Sequence, residues 1–391
     1  MQAAPRKKAV ALNRVDDLRE NGRGSIKPSD SVGSQNPLSE FQKRESSMST
    51  RVSVPTAVHR ARVVRTLTVV LLAAGNRLPA ADPPGFAREP VVVEYELDPS
   101  WPQRPEDVAA FGWVSGMDLD AQGNIWLFNK GPDPVQVYAP DGRFVRTWGK
   151  DQFVDPHQLR IDHEGNIWVA DFGLHVVAKY TPDGDLLQTL GIRGEAGQDE
   201  RHFNRPTDMA VTHQGDVFVT DGYGNRRIVH FDKHGQFVNT WGAYGSKPGE
   251  FVLPHAIVLD SRGRLFVADR NSGRIQIFSQ AGEFLDQWDN LVMPWGLFFD
   301  ARDELWVCGS SPHWWLKDGQ YPEFKDQVFM RFGTDGRMRQ LYTLPLGVEG
   351  NVQPGETRGV HCLAVDKAGN VYLGDIYGER AQKFVPLTKR P

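Results

Sequence analysis

Cysteine is almost missing from this 391-residue chain: Cys308 and Cys362 are the only two. That is too few for a disulfide framework, so a hydrophobic core has to carry the fold. Long apolar runs are missing as well. The segment Thr66–Ala74 is too short for a stable membrane anchor, which takes roughly 20 apolar residues. Positive charge is scarce where a polyanion would need it. The net charge of −4 conceals 15 Lys/Arg against 8 Asp/Glu in residues 1–90, and 30 against 41 in residues 91–391. An acidic body without a basic stripe excludes nucleic acid, whose binding rests on clustered Lys and Arg that displace counterions from phosphate.

Residues 1–59 are rich in Ser, Arg, Lys, Gln and Asn and have no apolar period, which predicts disorder. Residues 60–81 follow the order of a cleaved secretory signal: Arg60, Arg62 and Arg65, then the short apolar core, then Ala80-Ala81. Met48 stands at a normal distance before that segment. The expectation is that translation starts there and that residues 1–47 are an extension. A secreted or periplasmic protein follows, in a compartment where Cys308 and Cys362 could pair.

What fills the rest, residues 91–386, is one pattern repeated six times: an apolar strand, an Asp, a turn with Gly, and a second strand. The second strands start at Asn124, Asn166, Asp216, Arg264, Glu304 and Asn370, spaced by 42, 50, 48, 40 and 66 residues. Further hairpin turns recur at Pro140-Asp141-Gly142, Pro182-Asp183-Gly184, His234-Gly235 and Asp335-Gly336. Each copy reads as a four-stranded antiparallel meander. Six such sheets predict an all-β, six-bladed propeller, because each sheet can bury its faces only against its neighbours. The last copy ends near Phe384-Val385, whereas Val91–Leu97 is an orphan strand. It is expected to complete the last blade and close the ring.

Nine residues before each of those second-strand starts lies the opening position of an innermost strand: Ser115, His157, Thr207, His255, Trp295 and His361. Innermost strands line the central channel. Histidines on blades two, four and six, about 120° apart by the symmetry of the ring, would converge on its axis and hold a metal ion with coordination positions left open. Pro156 and Pro254 precede two of them. Second strands return to the same rim, ending at Asn129-Lys130, Asp171-Phe172, Asp221-Gly222-Tyr223, Asp269-Arg270, Gly309-Ser310 and Asp375-Ile376. Among these, Tyr223 is suited to proton transfer and Arg270 to binding a carboxylate or oxyanion, unless Asp269 neutralises it.

From Val114 to Phe384 the chain resembles the NHL-repeat propellers, and within them the peptidyl-α-hydroxyglycine α-amidating lyases. The resemblance is carried by Pro156-His157 through Val169, by Pro206-Thr207-Asp208 through Asn225, and by Pro254-His255 through Arg270 with Gly273-Arg274-Ile275-Gln276. It implies a catalytic zinc on His157, His255 and His361, a catalytic tyrosine at Tyr223 and a catalytic arginine at Arg270. It also implies a structural calcium held by the backbone carbonyls of Met117 and Leu159 and by a carboxylate. Three positions depart from the family pattern. Cys362 replaces the calcium-binding aspartate, Gly359 replaces a methionine and is expected to open room beside the metal, and Lys130 replaces an arginine facing the site. Calcium is thereby put in doubt, since a hard cation prefers oxygen, and Cys362 is left either paired with Cys308, near the zinc as a thiolate, or buried and free.

The implied reaction cleaves a carbinolamide, R-CO-NH-CH(OH)-COO⁻, to a primary amide and glyoxylate. The chain shows no counterpart of a copper monooxygenase domain, so a separate hydroxylating enzyme is expected to supply the substrate. Two other readings stay open: a metal-dependent propeller hydrolase acting on lactones or esters, and a non-catalytic NHL scaffold that binds a protein or glycan.

Overall fold

The computed structural model describes residues 94–311 and 326–387. The expected leader and extension at residues 1–81 lie outside them. Among the described residues, six four-stranded antiparallel sheets form a six-bladed β-propeller. The innermost strands are Val114–Leu119, Pro156–Ile161, Asp208–Val211, Pro254–Leu259, Met293–Phe299 and Val360–Val365. Among the same residues, no helix is long and apolar enough to cross a membrane.

The repeat has a physical cause at its first turn. In four of the six blades the Asp that follows the innermost strand is tied to an aromatic residue two places after the second-strand start. Asp120 accepts the indole N–H of Trp126 at 2.9 Å, Asp162 that of Trp168 at 3.0 Å, and Asp300 that of Trp306 at 3.0 Å. In the last blade Asp366 accepts the Tyr372 hydroxyl at 3.1 Å. The turn between them needs a left-handed residue, met for example by Gly165 at φ +85°.

The core lies between blades rather than within them. Trp168, Ala170 and Val177 of blade two pack on Met209, Val217 and Val219 of blade three, and comparable buried clusters occupy the other five interfaces. At roughly 25 cal/mol per Å² of apolar surface buried, these interfaces are what the blades gain from ring closure. The ring closes as expected. Glu94–Leu97 pairs antiparallel with Arg380–Leu387, covers its outer side and supplies the fourth strand of blade six. Lys383 fastens the join through Asp98 at 2.9 Å.

Candidate metal centre

The three histidines stand at a special point of their strands. Pairing with the second strand slips between Pro156 and Gln158, between Pro254 and Ala256, and between Val360 and Cys362. His157, His255 and His361 are therefore the extra residues of β-bulges, released from the ladder and re-aimed toward the axis. The chain leading into each bulge is clamped by the acid that ends the second strand of the same blade. Asp171 accepts the amides of Val154 and Asp155 at 2.8 and 3.0 Å. Asp269 takes those of Val252 and Leu253 at 3.0 and 2.9 Å, and Asp375 those of Arg358 and Gly359 at 2.9 and 2.8 Å. These rim acids hold backbone in place.

Each imidazole is oriented by the next blade. His157 Nδ1 donates to the carbonyl of Thr207 at 2.6 Å, His255 Nδ1 to that of Trp295 at 2.7 Å, and His361 Nδ1 to that of Ser115 at 2.7 Å. The acceptors are the opening positions of the three blades without histidine. A carbonyl can only accept, so the hydrogen sits on Nδ1 and Nε2 keeps its lone pair. One nitrogen from each ring lies within 4.8 Å of the others.

All three rings are buried and neutral. Desolvation drives the pKa of His157 and His255 well below the usual imidazole value, helped by His361 beside the first and Arg270 beside the second. Burial also lowers His361 to about 3. Neutral imidazole is the form that binds metal. His157 Nε2 is buried with no hydrogen-bond partner, an orphan acceptor that a cation would satisfy. The donor set fits a borderline-soft divalent ion such as zinc, with coordination positions left for a substrate.

Tyr223 and Arg270 stand on the rim above these rings. A Cβ at Gly222 would meet the Pro254 carbonyl oxygen at 2.1 Å, so only glycine lets blade three approach blade four here. That approach sets the Tyr223 hydroxyl 3.4 Å from His255 Nε2. Arg270 donates to the same hydroxyl at 3.2 Å, and its guanidinium lies 4.2 Å from the centre of the Trp295 ring. Asp269 does not neutralise it, being turned to Arg274 at 3.0 Å. Lys130 is ion-paired with Asp155 and packs 4.6 Å over Trp113. These groups enclose an open cavity of about 330 Å³.

One sequence expectation needs correction, and one left open is decided. Gly359 opens no room, because a Cβ there would meet the Tyr377 ring at 2.6 Å and Ile376 at 2.9 Å. Tyr377 fills that space and lines the cavity, in edge contact with Trp113 at 5.2 Å between centroids. Of the alternatives left open for Cys362, neither the pairing with Cys308 nor the thiolate is found. Cys308 and Cys362 are both buried and free. The Cys362 thiol points to the Val114 carbonyl at 3.7 Å, and burial pushes it up well above the usual thiol range, as it pushes Cys308 up to about 12. Tyr377 was missed in the sequence although it lies two residues after Asp375, as Tyr223 lies two after Asp221. The implied calcium does not fit this chain: Met117 and Leu159 are buried, but Cys362 stands where the carboxylate would be, and the Arg160 guanidinium, bonded to Asp208 and to the Leu297 carbonyl, lies in the channel beneath the histidines.

Residues 203–231 and 251–278, in blades three and four, match the NHL repeat. The chain is 36% identical over 337 residues to peptidyl-glycine alpha-amidating monooxygenase B of Xenopus laevis, covering 75% of this chain and 36% of that protein. It thus spans about a third of that relative's length. It is 34% identical over 323 residues to peptidyl-alpha-hydroxyglycine alpha-amidating lyase 1 of Drosophila melanogaster, 72% of this chain and 58% of that one. A further relative, NHL repeat-containing protein 3 of Homo sapiens, is 30% identical over 319 residues, 75% of this chain and 85% of its own length. Among solved structures, a gluconolactonase from Xanthomonas campestris shares the fold at a TM-score of 0.50 and 14% identity, over 71% of this chain and 87% of that one. With its six four-stranded blades, its NHL repeats and these relatives, the chain belongs to the NHL-repeat β-propeller family and resembles its amidating lyases.

Proposed function

We propose that this propeller is a zinc-dependent lyase that cleaves a peptidyl-α-hydroxyglycine to a peptide amide and glyoxylate. The observation that carries the reading is the Tyr223–Arg270 pair at 3.2 Å, set against the open side of three neutral histidines. His157, His255 and His361 would hold the zinc, which when bound supplies Lewis acidity toward the substrate hydroxyl.

The chain's own groups account for the rest. Tyr223, as the phenolate, takes the hydroxyl proton, and the Arg270 guanidinium beside it compensates the negative charge that this oxygen carries before transfer. The C–O bond becomes a carbonyl as the C–N bond breaks, and the proton on Tyr223 passes to the departing amide nitrogen. Arg270 also offers its remaining donors to the substrate carboxylate. Stacking on Trp295 fixes the guanidinium plane at little entropic cost. Trp113, Phe172 and Tyr377 wall the cavity. Export from the cytoplasm and a separate hydroxylating enzyme upstream complete the proposal.

The test is metal content of the purified full chain together with glyoxylate release from α-hydroxyhippurate. One zinc per chain and zinc-dependent glyoxylate, both lost in His157→Ala, are expected. Zinc without glyoxylate would refute the lyase and turn attention to lactones and esters, and a metal-free protein would leave a binding scaffold.

A further inference from the structure

The channel continues beneath the histidines, and there the six strands differ from one another. At the residue after each opening position stand Gly116, Gln158, Asp208, Ala256, Gly296 and Cys362, of which only Asp208 is anionic. Two residues further along blade two comes Arg160. Its Nε and Nη2 donate to the two carboxylate oxygens of Asp208 in blade three, at 3.0 and 2.6 Å, and Nη2 also donates to the Leu297 carbonyl of blade five at 3.2 Å. Blades two and five are opposite each other in a ring of six. A guanidinium that bonds across from one to the other lies in the middle of the channel. The Arg160 side chain is 10% exposed and that of Asp208 0%.

Asp208 has no capacity to spare for another cation. Besides both Arg160 bonds it accepts the amides of Met209 at 2.8 Å and Ile257 at 3.0 Å. Asp118 of blade one, which faces Arg160 electrostatically, is engaged by the amides of Leu119 at 2.8 Å and Ile161 at 2.9 Å. At the position where the resemblance puts a calcium-binding carboxylate, Cys362 offers a buried neutral thiol. A divalent ion placed here would face a permanently charged guanidinium in a site largely closed to water, where repulsion is weakly screened.

We infer that Arg160 is the resident cation of this channel and takes the place of calcium. The propeller holds one metal ion, at the histidines, and its ring is bolted beneath them by the Arg160–Asp208–Leu297 bridge. This conclusion stands apart from the lyase reading, since it concerns binding and stability and not turnover.

Equilibrium dialysis of the zinc-loaded full chain against millimolar calcium, followed by elemental analysis, tests it directly. No bound calcium is expected, with the same thermal midpoint in calcium as in EGTA. One calcium per chain with a raised midpoint overturns the inference. The double variant Arg160→Ser/Cys362→Asp removes the guanidinium and supplies a carboxylate. It is expected to take up one calcium and to gain a midpoint that rises with calcium concentration. A folded double variant indifferent to calcium overturns the claim that Arg160 excludes the ion; if that variant does not fold, the dialysis of the unmodified chain decides alone.

Discussion

The two levels of the central channel are built from the same innermost strands, a few residues apart, and are electrostatic opposites. The upper level gathers three buried imidazoles that are neutral and have no anion among them. The lower level holds a guanidinium tied to a fully engaged carboxylate. The upper one keeps an unsatisfied lone pair, that of His157 Nε2, at the axis, whereas the lower one ties its guanidinium to a carboxylate and a carbonyl of the chain itself. A propeller can thus present a reactive mouth and a closed floor from one repeated strand, because the bulge at its opening position aims one side chain inward and the ladder below resumes its ordinary pleat.

The sharpest way to break the comparison is at the mouth. Tyr223→Phe should lower turnover by about a hundred- to ten-thousand-fold while leaving metal content unchanged; parallel rate and zinc measurements check this, and undiminished turnover contradicts the assigned role. At the floor, Arg160→Met leaves Asp208 buried without its cation and should cost about 3–5 kcal/mol in urea denaturation. A loss below about 1 kcal/mol would match a solvent-exposed pair instead.

The pH response separates the levels further. The folded-state pKa values of the three histidines are depressed, that of His361 to about 3. In the metal-free protein the unfolded chain therefore takes up protons first as pH falls below about 6.5. The stability owed to neutral imidazole is fully present above that pH and is lost toward about 3, at up to ~1.4 kcal/mol per pH unit for each group. Urea midpoints in EDTA across this window should slope less for His361→Gln than for the unmodified chain, and identical slopes would remove the histidines from the account. The smallest effect is expected at Lys130, whose pair with Asp155 is 29% exposed on both sides. Lys130→Ala should change stability by less than about 1 kcal/mol, with its larger consequence read in the KM for an anionic substrate.

Much of this was legible in the sequence. The Asp-turn-aromatic unit fixes the distance from opening position to second strand, so counting back nine residues located His157, His255 and His361 and the three residues whose carbonyls orient them. The rim nominations Tyr223, Arg270 and Lys130 came from the same register. One reading failed and one stayed open because both depended on what an adjoining segment places there. Gly359 looked like a gap until Tyr377 was seen to fill it, and the choice among the three readings of Cys362 waited on its thiol, which is buried and free in the blade one and blade six interface.

By itself the sequence determined the number of blades, the strand order within each and the depth of the histidines, since all of these are local and repeat with the turn chemistry. Only the tertiary structure decided what crosses the ring. Arg160 and Leu297 are 137 residues apart, and Ser115 meets His361 across 246. No local pattern encodes such pairs; they exist because closing the ring brings distant strands to one axis.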